Sequence, residues 1–177
     1  MQKLFAAATA AAACAILTAA PAQAHEETGS DHTGPITGET AVALAEARAG
    51  TAKYQNVDAA LADGFFAVSP CVSHPTAGTM GIHYLNPARV DATLDPAEPE
   101  VLVYNPEPNG RLRLVAVEYL NIAPADFPGG VHMDPPGNGL PYTLHAWVWK
   151  DNPSGMFADW NPRVTCEHTS SVSRMAH

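Results

Sequence analysis

The run from Val101 to Asn121 limits the fold more than any other part of this chain. Two β-prone stretches, Val101–Tyr104 and Arg111–Asn121, flank the turn-forming Asn105-Pro-Glu-Pro-Asn-Gly110. Asn109-Gly110 supplies the positive φ angles that a tight turn needs, so the two stretches are expected to fold back as an antiparallel hairpin. Three more runs read as strands. They are Phe65–Val68, stopped by Pro70; Met80–Leu85, ended by Asn86-Pro87; and Tyr142–Trp149, followed by the turn Asp151-Asn-Pro-Ser-Gly155. Asn-Pro recurs at 86–87, 105–106, 152–153 and 161–162. The residue before proline is pushed out of the helical region, so each of these pairs marks the end of an element.

Upstream of the strands, residues 41–64 are rich in Ala, Leu, Glu, Lys and Arg, all strong helix formers. Gly50 and Asn56 are expected to divide this stretch into two helices, with Gly64 as the terminating residue. Helices first and antiparallel strands after them predict an α+β domain over 41–166, its N-terminal helices packed on a meandering sheet. Residues 25–40 are polar and aperiodic and read as a flexible arm, and 167–177 as a flexible tail. Between strands, 123–141 forms a long Pro/Gly-rich loop.

Residues 1–24 read as a secretory signal peptide: Lys3, an Ala-rich apolar run, then Pro21-Ala22-Gln23-Ala24, whose small residues match the A-x-A cleavage pattern. The apolar run is too short to span a bilayer comfortably. A lipoprotein reading would use Cys14, but Ala11 stands where a large aliphatic residue is wanted. Export to the periplasm or medium is therefore expected, with no membrane span. Cys71 and Cys166 then remain in an oxidising compartment and are expected to pair, against the alternative of free thiols or metal ligands. By chain-entropy arguments a bridge across so long a loop contributes about 4–5 kcal/mol. The whole chain carries a formal charge of −9, one unit more negative once Lys3 leaves. Such a surface repels phosphate backbones, which excludes nucleic acid as a partner and favours cations.

The strand period of two sorts side chains by face. Along Arg111–Asn121, Glu118 is the one charge in the row Leu112, Leu114, Ala116, Glu118, Leu120. On Tyr142–Trp149, His145 shares a row with Thr143, Trp147 and Trp149, and on Met80–Leu85, His83 lies with Gly81 and Leu85. An isolated carboxylate in an apolar row must be paired, coordinate a cation or hold a raised pKa. If the three rows share an interior, His83, Glu118 and His145 form a two-histidine, one-carboxylate set suited to a first-row divalent ion. The same residues could serve as acid and base around a small ligand. They could also be half-buried structural groups bonded to backbone.

A second, softer set is His74 and Met80 near Cys71, with His132-Met133 in the long loop; thioether with imidazole suits copper. Cleavage after Ala24 would also leave His25 as an amino-terminal copper chelator with His32 nearby. Trp147, Trp149, Phe157 and Trp160 could stack a flat ligand, though core packing near the cystine explains them more simply. Motifs of serine hydrolases, zincins, c-type haem proteins and P-loop NTPases are absent.

From about Thr51 the chain resembles an uncharacterised family of small secreted bacterial proteins. The resemblance is carried by GTMGIHYLNP (78–87), PEVLVYNPEPNGRLRLVAVEYL (99–120) and LHAWVWKDNPSGMFADWNPRVTC (144–166). It implies export and a shared fold, and no activity. The expectation is an exported protein that binds a small ligand or metal ion. The alternatives are a small periplasmic enzyme using the same three residues, and a structural envelope domain without a ligand. The oligomeric state is left open.

Overall fold

The computed structural model describes residues 35–135, 137 and 141–172. The signal-peptide reading, His25 and His32 lie outside them. Helix α1 spans Gly38–Thr51, and a 3₁₀ turn over Ala52–Gln55 leads to helix α2, Val57–Ala62. The helix starts inside the stretch read as an arm, because Thr37 caps it by accepting the N–H of Thr40 at 3.2 Å. Thr40 in turn donates its hydroxyl to the carbonyl of Pro128 at 3.0 Å, tying the helix start to the loop far along the chain.

Gly50 does not break α1. It stands where any Cβ would run into the carbonyl of Ala97, so its role is close approach. Asn56 does divide the region, accepting the N–H of Asp58 as the cap of α2. At the far end Gly64 has φ 93°, with Phe65 N–H donating to Ala60 O and Gly64 N–H to Leu61 O. These two bonds close a Schellman motif, as the sequence predicts.

The sheet is six-stranded and antiparallel. Strand β1 is Phe66–Ala67, β2 Val72–His74, β3 Gly78–Leu85, β4 Val101–Pro106 and β5 Leu112–Asn121. A small hairpin follows, β6 (Asp126–Phe127) and β7 (Val131–His132), and then β8 at Tyr142–Ala146. The path runs β1-β3-β4-β5-β8, with β2 also pairing β3. This is an α+β fold with helices on one face of the sheet. Strand β2 and the β6–β7 hairpin, inside the stretch read as a loop, are too short for periodicity to reveal. The tail is partly ordered as well: helix α3 covers Thr169–Val172.

Both faces of the sheet are buried. On one, Ala43, Leu44, Ala47 and Tyr54 pack on Leu102, Tyr104, Leu114, Val117 and Tyr119. On the other, Val101, Val103, Val115, Ala116 and Trp147 pack with Val164. The second face is covered by the C-terminal segment, which pairs Asn161 with Thr79 and closes on the Cys71–Cys166 disulfide. Trp147 and Phe157 are core residues, and Trp149 donates its indole N–H to Thr51 Oγ1 at 3.0 Å.

A β-bulge corrects the predicted face of β5. Val103 pairs with Ala116 while Tyr104 pairs with Leu114, leaving Val115 as the extra residue. Leu114 is therefore turned to the helix side with Val117 and Tyr119, whereas Ala116 joins the opposite core. The carbonyl of Val115 accepts the N–H groups of Trp149 and Lys150. Strand β8 ends at Ala146, short of the predicted Trp149, because Val148 N–H turns back to Ala146 O and Trp147 N–H leaves to Met156 O.

Candidate metal centre

Three strands each bring one ligand-type side chain to the face away from the helices. Glu118 on β5 pairs directly with His145 on β8 and with Val101 on β4. His83 on β3 pairs with Val103 of β4. Direct cross-strand partners share a face, so β4 sets two valines between His83 and the other two groups. The bulge lies N-terminal to Ala116 and leaves this parity untouched.

The three heads meet above that apolar floor. His83 Nε2 and His145 Nε2 are 3.5 Å apart, and Glu118 Oε2 lies 3.8 Å from the first and 4.0 Å from the second. Among the described residues this is the one group of three or more His, Cys, Asp or Glu side chains spaced to hold an ion. The side chains of His83 and Glu118 are each 11% exposed and that of His145 4%, so the cluster is largely buried.

Each imidazole turns its other nitrogen outward to an oxygen. His83 Nδ1 lies 3.0 Å from Ser69 Oγ, which also accepts the backbone N–H of His83 at 3.1 Å. His145 Nδ1 lies 3.5 Å from Asp159 Oδ1. The two rings titrate in opposite senses. Burial pulls His83 below the ordinary histidine value, assisted by His145 and opposed by the Glu118 charge. Burial is also the strongest single influence on His145, but the charges of Glu118, Asp159 and Asp134 together outweigh it and hold that ring above the ordinary value.

No protein-family model, curated protein or solved structure matches this chain. No family is assigned, and the chemistry of the cluster has to be read from its own atoms. Two ring nitrogens and a carboxylate oxygen converge, and lone pairs at these separations repel unless a cation or a shared proton lies among them.

The residues of the softer set each have contacts of their own. His74 Nδ1 accepts the N–H groups of Thr76 and Ala77 in the β2–β3 turn, and its ring meets Trp160. His132 is exposed and paired with Asp126 at 2.7 Å. Met133 is buried in the helix-side core, where its thioether packs as an apolar group, and Met80 is half-buried on β3. Cys71 is consumed by the disulfide. Ser69 and Asp159 are the site residues that sequence reasoning misses, since both stand in irregular segments where no period predicts a side chain's direction.

The disulfide fits an oxidising compartment, extracellular or periplasmic. Among the described residues no helix is long and apolar enough to cross a membrane.

Proposed function

We propose that this is an exported protein that binds one first-row divalent metal ion, of the zinc or copper type, through His83 Nε2, His145 Nε2 and Glu118 Oε2. The observation that carries the reading is the donor triangle. From its three sides, a point equidistant from all three atoms lies about 2.2 Å from each, against roughly 2.0–2.2 Å for Zn–N and Zn–O bonds. The mixed nitrogen–oxygen set disfavours calcium and magnesium, which take oxygen ligands. Octahedral coordination would need donors about 1 Å closer together on average than these, whereas a tetrahedral site needs a contraction of a few tenths of an ångström. Three protein donors leave a fourth position for water or a small ligand.

A second reading makes the same residues an acid–base set. It is favoured by the opposed displacement of the two imidazole pKa values, the pattern expected where one ring gives a proton and another takes it. Metal analysis separates the two. The chain from His25 onward, oxidised and purified without chelator, is expected to bind one Zn²⁺ per molecule and to gain about 2.7 kcal/mol of stability at a free ion concentration of 100 Kd. His83→Ala, His145→Ala or Glu118→Gln should abolish that gain. Failure to bind Zn²⁺, Cu²⁺ or Co²⁺, with no thermal shift, would refute the metal reading.

A further inference from the structure

We propose that Ser69 and Asp159 are the positioning residues of this centre, fixing each imidazole with its proton on Nδ1 and its lone pair on Nε2, aimed at the ion. The inference rests on the metal reading above and names what makes that site selective for the bound state.

A neutral imidazole carries one proton, and the nitrogen that keeps it cannot bind a metal. Coordination through Nε2 therefore requires an N–H at Nδ1, and a buried N–H requires an acceptor. Both acceptors are in place and differ in kind. Ser69 Oγ, 3.0 Å from His83 Nδ1, already accepts the His83 backbone N–H and keeps a second lone pair with which it can accept the Nδ1–H. Holding both the backbone and the ring of one residue, it fixes the rotamer of His83 as well as its tautomer.

Asp159 Oδ1 stands 3.5 Å from His145 Nδ1, at the outer limit of hydrogen bonding, and that nitrogen is buried with no shorter partner among the described residues. An ion on Nε2 draws electron density from the ring and makes the Nδ1–H a stronger donor, so loading the site is expected to shorten this contact. A carboxylate partner also makes the imidazole a stronger donor to the metal, which a hydroxyl does less well. Asp159 should therefore contribute more to affinity than Ser69.

Neither residue sits on the central strands. Ser69 lies between β1 and β2, two positions before Cys71, and Asp159 lies in the C-terminal segment that ends at Cys166. Asp159 is also more than a third exposed, at 38%, and belongs to neither apolar core.

The test is a chelator-competition measurement of Zn²⁺ affinity on the oxidised chain, beside the visible spectrum of the Co²⁺-loaded protein. Asp159→Ala is expected to bind Zn²⁺ 10–100-fold more weakly, the usual effect of losing an outer partner of a metal-bound histidine. Asp159→Asn, whose amide oxygen still accepts the Nδ1–H but carries no charge, should recover only part of the loss. Ser69→Ala should weaken binding by a smaller factor and alter the Co²⁺ spectrum, with Ser69→Thr restoring it. The metal-free Asp159 variants should remain folded at the temperature of the measurement, so that the loss of affinity and the changed Co²⁺ spectrum are read on folded protein. Parental affinity and spectrum in both Asp159→Ala and Ser69→Ala would overturn the inference while leaving the metal reading intact. A parent protein that binds no ion would overturn both.

Discussion

Glu100 is only 3% exposed, yet it precedes the first residue of β4, and its carboxylate accepts the backbone N–H of Leu120 at 2.9 Å. Burial raises its pKa to about 7, assisted by Asp91 and opposed by the Leu120 hydrogen bond and Arg89. The sign follows from proton counting. Between the ordinary value of 4.5 and about 7 the folded chain holds a proton that the unfolded chain has released. The contribution is therefore fully present below pH 4.5 and is lost as pH rises through 7. The size of that loss is on the order of 1–3 kcal/mol. Glu100→Gln keeps an acceptor for Leu120 and removes the titration. Its melting temperature should fall less than the parent's between pH 5 and pH 8; parallel curves would show that Glu100 does not titrate in this range. At the same scale, the three polar side chains of the candidate centre were legible because each interrupts an apolar row. Ser69 and Asp159 were not, because direction in an irregular segment is set by distant contacts such as the Asn161–Thr79 pair.

At the scale of elements, local rules worked wherever the signal was local. Asn56 as a cap and Gly64 as a Schellman glycine follow from their residue types. Gly50 is the instructive failure. Propensity treats a helical glycine as a weak point, and Gly→Ala in a helix interior ordinarily stabilises by about 0.5–1 kcal/mol. Here the added methyl would meet the backbone of Ala97, which cannot move aside cheaply. Overpacking of this kind costs about 1–3 kcal/mol, so Gly50→Ala should destabilise on balance, read as a lower urea midpoint with unchanged slope. A gain in stability would mean that the loop carrying Ala97 yields. The bulge at Val115 escaped notice for a related reason. Leu114-Val115-Ala116-Val117 is apolar at every position, so an extra residue leaves no break in alternation, and only the partner strand shows where the register shifts.

At the scale of the molecule, the sequence predicts the order of helices before strands and the antiparallel hairpin at its centre. It does not show that the sheet is covered on both sides. That second cover is the C-terminal segment, and it encloses the triad of His83, Glu118 and His145 against Val101 and Val103. The Cys71–Cys166 bond joins residues 95 apart, and all three donors lie inside the loop it closes. Replacing both cysteines with alanine should cost about 2–5 kcal/mol, measured by chemical denaturation with and without the bridge. A difference below about 1 kcal/mol would place the stabilisation elsewhere.

That bond also decides what a cut in the backbone does to the protein. A peptidase that nicks the exposed turn at Pro108-Asn109 severs the backbone between β4 and β5, but the two pieces remain one covalent molecule. The strand bearing His83 stays tethered to those bearing Glu118 and His145, at a local concentration no pair of free fragments could match. A cut chain of this design keeps the means to reassemble its own centre.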